Sequence, residues 1–110
     1  MIEKHEFNSG DLRVRSIRFT EVGDRLPEHD HNFPHTTIVF SGKFRIKARL
    51  GDNTGPDTIF HAPASVLIPA EAMHSIECVE PGEVWCTYCH RDPVTGEPVP
   101  EYNHWQSSYV

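Results

Sequence analysis

The sequence predicts an all-β protein, folded as a β-sandwich or a β-barrel. Short runs of β-branched and apolar residues recur at intervals of about 8 to 12 residues, with turn-forming residues between them. Residues 43–50 alternate strictly between charged and apolar side chains, which is typical of a strand that is buried on one face. No segment shows the apolar stripe, at a spacing of about 3.6 residues, that marks an amphipathic helix.

The strand patterns begin with residues 12–19, which are rich in apolar and β-branched side chains. The clearest pattern follows in residues 36–50, where Ser41 and Gly42 form a tight connection. Beyond this connection, Phe44 and the apolar residues that alternate after it share one face. Four shorter patterns, each bounded by turn residues, are 58–62, 65–69, 73–79 and 83–90.

Two segments lack a strand pattern. Residues 51–57 (GDNTGPD) have the composition of a loop. Residues 91–110 contain three prolines and are predicted to form an irregular tail, held on the body of the protein by Trp105. No internal repeat or linker divides the chain, so residues 1–110 are predicted to form a single domain.

Composition and charge exclude several classes of function. The net charge of −6 argues against nucleic acid as a main partner. No apolar run approaches the roughly 18 residues that cross a bilayer, so no membrane partner is expected. The N-terminal residues lack the apolar core of a secretory signal, and three cysteines are too few for a disulfide framework. We therefore expect a cytoplasmic location.

Three histidines fall within seven residues: His29, His31 and His35. On a strand, His29 and His31 point to the same side. Pro34 is expected to bend the chain, so that His35 opens the next strand and turns back toward the first two. His74 opens a later strand, but its local sequence does not show that it meets the other three. A metal site competes here with ordinary surface or hydrogen-bonded histidines.

A second motif, residues 86–90 (CTYCH), matches the pattern for covalent haem attachment. This interpretation is rejected because there is no export signal, and because Cys86 and Cys89 would lie on opposite faces of a strand. The same geometry argues against a redox disulfide. Cys86, Tyr88 and His90 would instead share one face. If that face points inward, Cys86 and Tyr88 line a pocket, for which Val39 is a further candidate.

The histidine region resembles the first motif of the cupin superfamily. That motif consists of a glycine, five residues, His-x-His, three or four residues, a glutamate, six residues and a glycine. Gly23, His29, His31, His35 and Gly42 occupy the corresponding positions, with His35 in place of the glutamate.

The second cupin motif consists of a proline, any residue, a glycine, two residues, a histidine, three residues and an asparagine. Pro69 and His74 match it, whereas Glu71 replaces the glycine and Cys78 replaces the asparagine. The two motifs span residues 23–78, about half of the chain. The glutamate at position 71 leads us to expect a somewhat different turn after Pro69.

The resemblance implies a double-stranded β-helix, or jelly-roll, barrel. It also implies one divalent transition-metal ion held by four histidines: His29, His31, His35 and His74. Fe²⁺ or Mn²⁺ is favoured, with Ni²⁺ or Zn²⁺ as further candidates, since imidazole ligands suit first-row metals better than Mg²⁺ or Ca²⁺.

The function implied is a metal-dependent enzyme for a small molecule, most readily a dioxygenase-like oxidoreductase. Two alternatives stay open: a Lewis-acid isomerase or lyase, and a non-catalytic module that binds a small ligand or metal. Cupins of this size commonly pair through a sheet, so a homodimer is also expected.

Overall fold

The computed structural model describes residues 1–31, 33–89, 94–95, 97 and 103–105. Within these residues the chain forms strands and no helix, so none of them forms a helix that could span a membrane. The strands are β1 (Ile2–Ser9), β2 (Leu12–Phe19), β3 (Arg25–His31), β4 (His35–Val39), β5 (Lys43–Leu50), β6 (Asn53–His61), β7 (Ala64–Ile68), β8 (Met73–Glu80), β9 (Gly82–Cys89) and β10 (Asn103–Trp105).

The strands form two five-stranded antiparallel sheets. Sheet I has the order β1-β2-β9-β4-β7, and sheet II has the order β10-β3-β8-β5-β6. Alternate residues of each strand point between the sheets, because successive side chains leave a strand on opposite sides. They form a hydrophobic core whose largest members are Phe19, Phe44, Ile17, Ile46, Ile68 and Ile76. The predicted all-β jelly roll is confirmed.

The predicted strand pattern over 36–50 is two strands in different sheets. β4 belongs to sheet I and β5 to sheet II, with Gly42 in the connection between them. Gly42 has a φ of 81°, and a Cβ there would lie 2.5 Å from the carbonyl oxygens of Glu80 and Pro81. Only glycine fits this crossing between the sheets.

The predicted loop over 51–57 is wrong for most of its length. Only Gly51 and Asp52 form a turn, and β6 begins at Asn53 and pairs with β5. β6 is the outer strand of sheet II, and an edge strand tolerates Pro56 because one side of its backbone needs no partner.

Two edge strands were not predicted. β1 is polar and largely exposed, so it lacks the alternation that identifies a half-buried strand. β10 lies within the segment predicted to be an irregular tail, where Asn103–Trp105 pairs with β3. The predicted anchoring side chain of Trp105, and His90 of the CTYCH motif, lie outside what the structure describes.

Candidate metal centre

Sheet II brings three histidines together on its inner face. β3 carries His29 and His31 on the same side, and a β-bulge precedes His29. His74 of β8 pairs directly with His29. All three are at most 4% exposed, and one ring nitrogen from each lies within 4.8 Å of the others. Ala48 of β5 pairs with His74 on its other side, and its small side chain leaves room for the imidazole.

His35 approaches the same point from the opposite sheet. It is the first residue of β4 in sheet I and is also buried. Its ring centroid lies 5.1 Å from that of His31 and 4.9 Å from that of His74. Because β3 and β4 belong to different sheets, His35 faces the other three histidines from the opposite side.

Backbone hydrogen bonds fix the orientation of two of the rings. His29 Nδ1 donates to the carbonyl oxygen of Pro27 at 2.8 Å, and His74 Nδ1 donates to that of Ala72 at 2.9 Å. Because a carbonyl only accepts, each Nδ1 carries the proton and each Nε2 keeps its lone pair. This is the tautomer that binds a metal ion through Nε2.

The cluster contains buried nitrogens whose hydrogen-bonding capacity is not used. Nε2 of His74 and both ring nitrogens of His35 have no hydrogen-bond partner within the described part of the chain. Leaving such a group unpaired costs about 1–3 kcal/mol. A metal ion among the rings would accept the lone pair of His74 Nε2 and that of one His35 ring nitrogen, and neutral imidazoles suit first-row transition metals. The residues present therefore fit such an ion.

Burial keeps the histidines in their neutral form. It is the main cause that lowers the pKa of His29 and of His35 to about 2, with the charge of a protonated His74 as the next cause. Burial also lowers the pKa of His74. Because only unprotonated imidazole binds a metal, the folded protein presents these rings in a form ready to bind.

An aromatic stack covers one side of the cluster. The ring of Phe33 stacks on that of His31 at a centroid distance of 4.9 Å, and on that of Tyr88 at 4.0 Å. Both Phe33 and Tyr88 are almost fully buried. The stack holds the His31 ring in place and excludes water from that side.

The residues predicted to line a pocket all belong to sheet I. Tyr88 faces inward beside the histidines, through the stack with Phe33. Cys86 also faces inward, where its Sγ lies 3.7 Å from Oγ1 of Thr37, and burial raises the pKa of its thiol. Val39 is buried in the hydrophobic core, four residues along β4 from His35. Contact of these three residues with a ligand stays a prediction.

Sequence reasoning overlooked Phe33 and Arg15, although Arg15 had a detectable signal. Arg15 alternates with Ile17 and Phe19, so it belongs to the inward face of β2. An arginine on an apolar face is unusual enough to single out. Phe33 gave no comparable signal, since one aromatic residue between His31 and His35 is equally consistent with an ordinary turn.

The turn before His74 contains a residue in the left-handed conformation. Glu71, which stands where the cupin motif has a glycine, has a φ of 68°, in the region that glycine favours. Its backbone N–H donates to the carbonyl oxygen of His31 at 2.7 Å, which ties this turn to β3. The expected change of turn relative to cupins stays a prediction.

No protein-family model matches this chain, and no curated protein matches it by sequence. Solved structures do match. An RmlC-like cupin from Shewanella frigidimarina is 19% identical with a TM-score of 0.67, over 80% of this chain and 75% of that one. KdgF from Halomonas sp. is 19% identical with a TM-score of 0.68, over 84% and 82%. Oxalate decarboxylase from Bacillus subtilis, a protein with Mn(II) centres, is 16% identical with a TM-score of 0.69, over 87% of this chain and 24% of that one. The chain has the cupin fold.

Proposed function

We propose that this protein of cupin fold is a metal-dependent enzyme that acts on a small molecule. His29, His31, His35 and His74 would hold one divalent transition-metal ion. The observation that carries the proposal is the cluster of three buried histidines, His29, His31 and His74, with the ring of His35 4.9 Å from that of His74. Nε2 of His74 and both ring nitrogens of His35 have no other partner in the described chain. Four protein donors do not fill an octahedral ion, and open positions distinguish a catalytic metal site from a structural one.

The reaction we propose is an oxygen-using, dioxygenase-like oxidation. Fe²⁺ or Mn²⁺ would supply the redox chemistry, and the Mn(II) centres of the Bacillus subtilis oxalate decarboxylase support this choice of metal. The chain supplies neutral nitrogen donors, a dry wall formed by Phe33 and Tyr88, and two rings fixed by backbone carbonyls. Exclusion of water strengthens electrostatic interactions in such a site.

A second candidate is a Lewis-acid isomerase or lyase. It is favoured by the donor set itself, because His35 stands where the cupin motif has a glutamate. Four neutral donors leave the full charge of the ion to polarise a substrate, and they make a higher oxidation state harder to reach.

Two measurements test these proposals. Elemental analysis of protein purified without added metal should find close to one transition-metal ion per chain. An Fe(II)-loaded sample should then consume dioxygen in the presence of a substrate. Bound metal with turnover but no oxygen consumption would favour the Lewis-acid reaction. If the site bound Zn²⁺ and no turnover were found in any screen, the protein would be a non-catalytic module that binds a small ligand or metal.

We also propose that the protein is a homodimer, paired through the outer face of sheet I. There Trp85 packs against Phe7 and Phe40, with ring centroids 5.6 and 4.7 Å apart. Leu67 extends the apolar surface and is 65% exposed. Arg18 and Glu83 are paired neighbours on this face. In a two-fold symmetric dimer, the same face of the second subunit would therefore offer a positive and a negative side chain to pair with them. The cytoplasmic location stays a prediction.

A further inference from the structure

Arg15 lies on the inner face of sheet I, close to the histidine cluster. It pairs with Cys86 of β9, and Cys86 pairs with Thr37 of β4. Paired residues of neighbouring strands share a face, so these three side chains form one row across the sheet. His35 is two residues from Thr37, a distance of about 6.6 Å along a strand. Arg15 therefore occupies the row next to that of His35.

The guanidinium of Arg15 has hydrogen-bonding capacity that the described protein does not use. Its Nε donates to Oε1 of Glu6 at 2.8 Å, and its side chain is only 15% exposed. The terminal nitrogens Nη1 and Nη2 donate no hydrogen bond to any described residue. The other oxygen of Glu6 accepts from Nη2 of Arg13 at 2.6 Å. Glu6 is thus shared, and Arg15 keeps its planar pair of terminal donors.

The charge balance around the cluster favours an anionic ligand. Four neutral imidazoles cancel none of the charge of a divalent ion. Among the described residues, two carboxylates act on this region: Glu6, which is shared between two arginines, and Asp30, whose charge acts on His74. The two arginines and the two carboxylates balance one another, so a bound divalent ion would leave an excess of positive charge beside the buried histidines, where electrostatic interactions are stronger than in water. A bound anion would restore the balance.

We propose that Arg15 binds the carboxylate of the substrate, which makes the substrate a small organic acid such as a 2-hydroxy or 2-keto acid. The planar fork of a guanidinium matches a carboxylate in two parallel hydrogen bonds. In such an acid, the carbon bonded to the carboxylate carries a hydroxyl or keto oxygen. With the carboxylate on Arg15, this carbon, where the reaction would occur, would lie next to the metal-binding histidines. This inference rests on the proposed function, whose substrate class it names.

The test compares acids with their amides on Zn-loaded protein, which is redox-inert. Glycolate, pyruvate, glycolamide and pyruvamide are titrated calorimetrically. The wild-type protein should bind at least one acid tenfold or more tightly than its amide. Arg15→Gln should remove this preference, and Arg15→Lys should restore part of it. The matched control is Arg18→Gln, which removes an arginine from the outer face of the same strand and should keep the preference.

The ratio of the affinity for an acid to that for its amide distinguishes carboxylate recognition by Arg15 from a structural role. Destabilisation of the protein by Arg15→Gln would weaken the binding of both ligands alike. Equal ratios in the wild-type protein and Arg15→Gln, or a wild-type protein without any preference for the acids, would overturn the proposal. Elemental analysis of the same samples tests the metal site independently. If the wild-type protein holds no metal, the proposed function fails, and the same titration of the metal-free protein still tests Arg15.

Discussion

His35 determines the charge of the candidate metal centre. The cupin motif has a glutamate at this position, and the imidazole that replaces it is buried opposite the other three. A glutamate would fill the same position with a negative charge, and the charge of the donor set governs how strongly a metal polarises its ligands. One substitution therefore separates an enzyme from a passive metal binder.

The substitution His35→Glu should change turnover by tenfold or more, equivalent to at least about 1.4 kcal/mol. The added charge weakens substrate polarisation and stabilises a higher oxidation state, while metal content and folding change little. Turnover, or oxygen consumption with a reductant if no substrate is known, gives the rate, and elemental analysis gives the metal content.

The control is His61→Glu, which makes the same change at an exposed histidine of β6 and should leave the rate unaltered. Equal rates for His35→Glu and the wild-type protein would contradict an electrostatic role for His35. Loss of the metal from His35→Glu would show that the residue's role is structural.

At the scale of an element, the turn that precedes β8 is strained. Glu71 adopts the left-handed conformation, which costs a residue with a Cβ roughly 1–2 kcal/mol. The turn is held by the hydrogen bond from its N–H to His31 and by a second bond from the N–H of Ala72 to the carbonyl oxygen of Pro69 at 3.3 Å. Backbone strain of this kind persists only where the surrounding structure enforces it.

We expect Glu71→Gly to raise the free energy of unfolding by about 0.5–1 kcal/mol. Glycine relieves the strain in φ, and its greater freedom in the unfolded chain cancels part of the gain. Urea unfolding of the metal-free protein measures the difference. Glu71→Ala is the control, because it removes the side chain and keeps the strain. If Glu71→Gly were no more stable than Glu71→Ala, the turn would not be strained.

Local patterns predicted those elements whose signal lies within a few residues. β5 was predictable because one of its faces is buried and the other is charged. β1 and the start of β6 were not, since edge strands bury little and β6 begins in residues with loop composition. Their structure depends on a partner strand, which no local window contains.

The candidate site was likewise predictable from the sequence only in part. The shared direction of His29 and His31 follows from strand geometry alone. The pairing of His29 with His74 depends on the register of two strands more than 40 residues apart, and only the resemblance to the cupin motifs predicted it. Arg15 lies outside both motifs, and its closeness to the histidines depends on two successive strand pairings in sheet I.

At the scale of the whole molecule, the outer face of sheet I determines the predicted assembly. Leu67→Glu places a charge in the proposed interface, where burying it unpaired would cost several kcal/mol. We expect light scattering at micromolar concentration to give a dimer mass for the wild-type protein and a monomer mass for this variant. Ile59→Glu, at an exposed apolar residue of sheet II, should stay dimeric. A wild-type mass near 12.6 kDa would rule out the dimer.

The buried histidines also make the stability of the whole metal-free protein depend on pH. His29 and His35 have pKa values of about 2 in the folded protein, against an ordinary value of 6.5 in the unfolded chain. Between these values the unfolded chain binds protons that the folded protein does not. Stability is therefore fully present above pH 6.5 and is lost as the pH falls, at up to about 1.4 kcal/mol per pH unit for each histidine.

We accordingly expect the free energy of unfolding of the metal-free protein to fall by on the order of 2 kcal/mol per buried histidine between pH 7.5 and pH 5. Urea unfolding across this range measures the slope. His35→Asn removes one of these buried titrating groups and should flatten the curve. A stability that is constant down to pH 5 would mean that the histidines take up protons in the folded state. The cluster would then be open to water, and the dry site on which the proposed chemistry depends would not exist.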